Sequence, residues 1–83
     1  MNYTYILRCA DGTLYTGWTN DLNRRVETHN RGRGGKYTRA RLPVTLVYAE
    51  SHETESDARR REVQIKQMTR ADKLALIQSA QNM

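Results

Sequence analysis

Phenylalanine is absent from the sequence, and proline, tryptophan and cysteine occur once each. The lone thiol, Cys9, excludes an intrachain disulfide and a cysteine-based zinc site, and a chain so poor in cysteine is expected in the cytoplasm. No apolar run approaches the length of a membrane span, and Met1-Asn2-Tyr3-Thr4-Tyr5 lacks the basic-then-apolar pattern of an export signal, so no membrane partner is expected. Familiar catalytic signatures are missing too. The sequence has no Gly-x-x-x-x-Gly-Lys-Ser/Thr loop and no His-Glu-x-x-His pair, and Gly32, Gly34 and Gly35 form no phosphate-cradling fingerprint. Ser51, Ser56 and Ser79 lack a nucleophile-elbow setting, which argues against serine hydrolase chemistry. Without repeats, low-complexity tracts or linkers, residues 1–83 read as one domain whose short chain builds only a thin core.

What is present is tyrosine and positive charge. Five tyrosines supply rings that bury a face while their hydroxyls reach water or a partner. Fourteen Lys and Arg against nine Asp and Glu give a net charge of +5, which favours polyanions through counterion release and makes nucleic acid the first expected partner. A solvated basic face is the plainer alternative.

Residues Tyr3 to Cys9 and Thr13 to Trp18 are rich in aromatic and β-branched side chains around an Asp11-Gly12 turn, which predicts a β-hairpin. A three-residue loop, Ala10-Asp11-Gly12, sets Leu7 against Tyr15 and Tyr5 against Gly17, with both tyrosines on one face. A two-residue Asp11-Gly12 turn sends them to opposite faces, and the sequence permits both.

A helix capped by Asn20 or Asp21 runs to about Asn30, with Gly32 ending it. Leu22, Arg25, Val26 and His29 fall within an arc of about 100° on it, while Arg24 points almost the other way. The stretch from Arg31 to Arg41 holds five basic residues and three glycines and reads as a loop. Its Arg33, Lys36, Tyr37, Arg39 and Arg41 are candidate phosphate contacts, with a merely solvated loop the alternative. Past Pro43, Val44 to Ala49 reads as a third strand. A helix from near Thr54 to about Met68 follows, opened by Thr54-x-x-Asp57. Thr69-x-x-Asp72 opens a last helix with Leu74 and Ile77 on one face, and Gln81-Asn82-Met83 reads as a frayed tail. The expected class is α+β, a small three-stranded antiparallel sheet with flanking helices in the order β-β-α-β-α-α.

Ala58, Glu62, Ile65 and Thr69 share one helical stripe, so Glu62 places a carboxylate where an apolar side chain is expected. A carboxylate there needs a cation or hydrogen-bond donors. An ion pair with Arg25 or Arg61 meets that need, and so does a metal; a single carboxylate suits Mg²⁺ better than zinc. Arg25 and His29, one helical turn apart, offer a clamp for phosphate oxygens and a titratable group beside the hairpin.

The sequence resembles the GIY-YIG nuclease superfamily, and most closely its small stand-alone bacterial UPF0213 group, over nearly its whole length. Tyr3-Thr4-Tyr5 stands where the Gly-Ile-Tyr triplet is expected and Tyr15-Thr16-Gly17 matches Tyr-Ile-Gly. Asp21-Leu22-x-x-Arg25 followed by His29-Asn30 resembles the helix motif of that family. Gly35-Lys36-Tyr37-Thr38-Arg39, Leu46-Val47-Tyr48 and Arg60-Arg61-Glu62 before Ile65-Lys66 resemble its small members. The resemblance implies an endonuclease hydrolysing phosphodiester bonds of DNA, or RNA, with one Mg²⁺, or Mn²⁺, on Glu62. It implies that the Tyr5 hydroxyl activates or relays a proton from water, assisted by Tyr15 and His29, and that Arg25 steadies charge on the phosphate. A tyrosine acting so at neutral pH is expected to have its pKa lowered by nearby cations. Gly17 is expected to permit a close approach. Tyr3 and Thr4 depart from the first two family letters, and no counterpart of an added DNA-binding domain or of the polar Asn after the glutamate helix is found. A nucleic-acid-binding module with little turnover, and a nuclease subunit whose partner protein supplies specificity, are the alternatives.

Overall fold

The computed structural model describes residues 1–81. Strands β1 (Asn2–Arg8), β2 (Leu14–Thr19) and β3 (Thr45–His52) form one antiparallel sheet in the order β2-β1-β3. Four consecutive residues of β1, Thr4 to Leu7, are buried, as a central strand covered on both faces requires. On one face Tyr5, Leu7, Cys9 and Val44 form a cluster with Leu22 and Val26 of helix α1 (Leu22–Asn30). On the other, Ile6 meets Ile65 of α3 (Glu55–Lys66) and Ile77 of α4 (Arg70–Gln81). The class is α+β and the order is the expected one, with one addition. A single helical turn, α2 (Lys36–Arg39), lies inside the stretch that composition marks as a loop. Composition misses it because its anchor is one buried polar residue, Thr38.

The hairpin adopts the three-residue loop. Cys9 N–H donates to the Thr13 carbonyl at 2.8 Å, and Gly12 takes φ +85°, where a side chain would be strained. The Asp11 carboxylate fixes the turn by accepting from the Thr13 hydroxyl at 2.6 Å and from its N–H at 3.1 Å. Leu7 therefore faces Tyr15 and Tyr5 faces Gly17, so the two tyrosines share a face. On the other side of β1, a bulge pairs Ile6 with Tyr48 but Leu7 with Leu46. It directs Leu46 to the Tyr5 cluster and Tyr48 to the Ile6 cluster.

Asp21, not Asn20, caps α1, accepting from Arg24 N–H at 3.2 Å. The helix ends with Gly32 N–H on the His29 carbonyl and Arg33 N–H on that of Thr28, a Schellman closure with Gly32 at φ +79°. Asn30 then ties the helix end to the sheet, its side chain bonding both the N–H and the carbonyl of Val44 at 2.8 and 3.0 Å. Thr54 and Thr69 cap α3 and α4 through Asp57 N–H and Asp72 N–H. Thr69, expected on the buried stripe, is exposed because it serves as that cap. Leu74 is exposed as well, and Leu76 instead joins Ile77 in packing. Gln81, expected in a frayed tail, is the last residue of α4, and the rest of that tail lies outside the described residues. Among the described residues no helix is long and apolar enough to cross a membrane.

Candidate active site

The hairpin and α1 bring Tyr5, Tyr15 and His29 together. The Tyr5 hydroxyl lies 2.9 Å from His29 Nε2, and the Tyr15 ring stands edge-on to the imidazole with centroids 5.2 Å apart. Gly17 makes room for this arrangement. A Cβ there would stand 2.6 Å from the Tyr5 oxygen, closer than any real Cβ contact. His29 is fully buried, unlike the surface or capping histidine that its place near a helix end allows.

The second nitrogen of His29 meets the segment after α1. Its Nδ1 is 2.8 Å from the Thr38 hydroxyl, which is itself fully buried. A threonine hydroxyl donates and accepts, so it serves either imidazole tautomer. Gly34 lies flat against the ring, where a Cβ would come within 2.1 Å of Nδ1. The Gly34 carbonyl also accepts from the Arg25 guanidinium at 3.1 Å. Tyr37, next to Thr38, stacks on Tyr15 with centroids 6.0 Å apart. Residues 34–38 thus touch Arg25, His29 and Tyr15 together. Sequence reading credits neither Gly34 nor Thr38 with this. The available signal was the Gly-Lys-Tyr-Thr run beginning at Gly35, but nothing in it reveals which side chain turns inward.

The carboxylate of Glu62 comes from α3. Its side chain keeps only 18 % exposure and pairs with Lys66 at 3.0 Å, not with Arg25 or Arg61. Arg61 is occupied elsewhere, bonding both oxygens of Glu50 at 3.1 and 3.2 Å, while Tyr48 donates to the same carboxylate at 2.6 Å. Glu62 is therefore neither sealed in the core nor locked to a buried partner, because Lys66 is half exposed on the next turn and free to swing away. Among the described residues no group of three or more His, Cys, Asp or Glu could hold a metal ion.

The electrostatics correct one expectation. Burial raises the Tyr5 pKa above its ordinary value; a hydrogen bond and positive charge from Arg25 pull it down without prevailing, and the fields of Tyr15 and Glu62 push it further up. Nearby cations do not lower it on balance, because the ring is 1 % exposed and the single guanidinium also serves Gly34. Burial, then the Arg25 charge, depresses the His29 pKa to about 4, so its imidazole is neutral at physiological pH.

The basic loop divides. Arg41 is engaged: it bonds Asp11 at 3.1 Å and the Tyr37 carbonyl at 2.9 Å, and lies 3.9 Å from the centre of the Tyr37 ring. Tyr37 packs against both Arg41 and Tyr15 and stays exposed at 39 %. Arg33, Lys36 and Arg39 remain exposed.

Residues 1–75 match the family model described as the GIY-YIG catalytic domain. A UPF0213 protein of Clostridium perfringens is 57 % identical over 79 residues, spanning 95 % of this chain and 85 % of that protein. A UPF0213 protein of Staphylococcus aureus is 57 % identical over 76 residues, 92 % of this chain and 93 % of its own. The solution NMR structure of a UPF0213 protein from Bacillus halodurans superposes with a TM-score of 0.60 at 43 % identity, covering 94 % of this chain and 84 % of that one. A second NMR structure, of a protein from E. faecalis, gives 0.64 at 37 % identity over 99 % and 88 %.

Proposed function

The chain belongs to the GIY-YIG catalytic-domain family, and from that premise we propose that it is a metal-dependent endonuclease hydrolysing phosphodiester bonds of DNA or RNA. One observation carries this reading: Tyr5, Tyr15 and Arg25 gather around one buried imidazole, His29, and the charge of Glu62 bears on the same phenol. The Tyr5 hydroxyl bonds His29 at 2.9 Å, the Tyr15 ring lies edge-on to the same imidazole at 5.2 Å, and Arg25 bonds the carbonyl of Gly34, which packs against that ring; the charges of Arg25 and Glu62 both bear on the Tyr5 pKa. A structural ion pair has no need of such convergence.

The donor set fits Mg²⁺ or Mn²⁺. One carboxylate with limited exposure suits an ion that keeps most of its water shell and takes oxygens from the substrate phosphate. Bound there, it would supply positive charge against the oxygen that leaves. Lys66 would release Glu62 to hold it.

The chain's own residues divide the remaining work. Arg25 turns from the Gly34 carbonyl to clamp phosphate oxygens and steady the charge that builds on them. Its departure opens the Tyr5 hydroxyl, which relays a proton from the attacking water toward His29. Tyr15, half-buried against the same imidazole, assists at the mouth of the site.

The test is cleavage of single-stranded, duplex and branched DNA, and of RNA, with Mg²⁺ and with Mn²⁺. Glu62→Gln and Arg25→Ala should each reduce the rate by about 10²-fold or more. A wild type inactive with both metals, or Glu62→Gln activity equal to wild type, defeats the assignment. One observation favours a second reading, a binding module with little turnover or a nuclease needing a protein partner: Tyr5 is 1 % exposed, and Arg25 and Glu62 already have partners. Salt-sensitive binding without cleavage would select the module. Cleavage that appears only when a second protein is added would select the partner-dependent subunit.

A further inference from the structure

We propose that the outer face of α1 carries the backbone of the strand flanking the reacting phosphate, with Arg24, Arg31 and Arg33 as its phosphate contacts. The inference rests on the nucleic-acid reading of the site and adds the path by which the strand leaves it.

Two concavities adjoin on this face. One, of about 250 Å³, is bordered by Thr19, Asn20, Asp21, Arg24, Arg25 and Thr28. The next, of about 480 Å³, is bordered by Arg24, Glu27, Thr28, Arg31 and Arg33. They share Arg24 and Thr28 as a common border and so lie side by side along α1, a trough in two parts. It begins at Arg25, whose guanidinium bonds the Gly34 carbonyl beside the His29 ring, so it adjoins the candidate site.

Positions 24, 28 and 31 follow one face of the helix and span about 10 Å at 1.5 Å per residue. That length is enough to meet neighbouring phosphates of one strand. Four arginines border it against two acids. Asp21 is engaged with the Arg24 N–H at the start of the helix. Glu27 pairs with Arg31, but both side chains are more than half exposed, and such pairs are worth only about 0–1 kcal/mol, little enough for a phosphate to displace. Arg41, by contrast, already has partners in Asp11 and the Tyr37 carbonyl.

The experiment is oligonucleotide binding across a salt series with the Glu62→Gln protein, which leaves the probe uncut. Arg24→Ala, Arg31→Ala and Arg33→Ala should each weaken binding and lower the slope of log K against log salt by about 0.7 to 0.9. Arg70→Ala, which removes the same charge from α4 behind the sheet, should leave the slope unchanged. Glu27→Gln should tighten binding by removing the carboxylate that pairs with Arg31 at the trough. Three arginine variants indistinguishable from Arg70→Ala, or a Glu27→Gln that binds more weakly, would overturn the track while leaving the nuclease site standing. A parent protein that binds neither DNA nor RNA would overturn both.

Discussion

Acidification should destabilise the fold through His29, and by an amount the structure sets. The imidazole is fully buried between the Tyr5 and Thr38 hydroxyls, and its pKa falls from 6.5 to about 4. Between those values the unfolded chain takes up a proton that the folded one refuses, so stability rises with pH across the window. The contribution is complete above about pH 6.5 and lost as pH falls through about 4. A depression of about 2.5 units corresponds to about 3 kcal/mol at 1.36 kcal/mol per unit, a large share of the stability of a small domain. Wild type alone does not isolate the effect, because other groups also weaken the fold in acid. The Thr13 hydroxyl holds the Asp11 pKa down, and at Glu50 the bonds from Tyr48 and Arg61 outweigh an opposing burial effect. Urea unfolding should therefore be followed from pH 7.5 to 4.5 for wild type and His29→Gln, and the two curves subtracted. The gap should change by about 2 to 3 kcal/mol over that range. Parallel curves would refute the argument, as would an imidazole NMR titration of wild type with a midpoint at or above 6.5.

Two further substitutions probe the support behind His29. Gly34→Ala should cost about 1–3 kcal/mol by the urea midpoint and shift the imidazole resonances, since its Cβ would fall 2.1 Å from Nδ1; an unchanged midpoint would show that the segment adjusts freely. Thr38→Val keeps the volume but removes the hydroxyl, leaving Nδ1 without a partner at a cost of about 1–3 kcal/mol and changing the tautomer read by imidazole ¹⁵N shifts. Thr38→Ser should restore the wild-type tautomer, and identical behaviour of the two variants would count against this role.

Much of the framework was legible because it follows period and punctuation. Alternation and Asp11-Gly12 mark the hairpin, Asp21 and Gly32 bound α1, and Thr54 and Thr69 cap the later helices. Helical phase also sets Arg25, Val26 and His29 toward one side, leaving Arg24 exposed. The register of the two tyrosines was not decidable, since it depends on whether the Asp11 carboxylate turns back onto Thr13, a choice of turn geometry. Helical phase sets Glu62 on the stripe of Ala58 and Ile65 but does not say which cation meets it: Lys66, one turn on, takes that place, while the fold employs Arg25 at Gly34 and Arg61 at Glu50. Thr38 and Gly34 were invisible for a different reason. A polar, glycine-rich stretch carries no periodic signal, and what buries it is a contact with a side chain nine residues earlier in the chain for Thr38 and five for Gly34.

The two shifted pKa values constrain how the proposed chemistry can begin. With burial holding the Tyr5 phenol above its ordinary range and the His29 imidazole pushed down to about 4, handing the Tyr5 proton to His29 in the free protein is uphill. The resting pair is therefore a neutral phenol bonded to a neutral imidazole, and a preformed phenolate is excluded as the base. Arg25 contributes to both sides of that gap. Its charge lowers the His29 pKa as well as that of Tyr5, so it disfavours the imidazolium that a proton relay must create. When the guanidinium turns to a phosphate, its charge is compensated and the penalty on His29 falls. Arg25 then clamps the phosphate in the proposed reaction and bears on both partners of the relay, since its move raises the pKa of Tyr5 along with that of His29. Replacing it with an uncharged residue should accordingly raise the His29 pKa in the free protein. An unchanged His29 titration in Arg25→Ala would break that coupling.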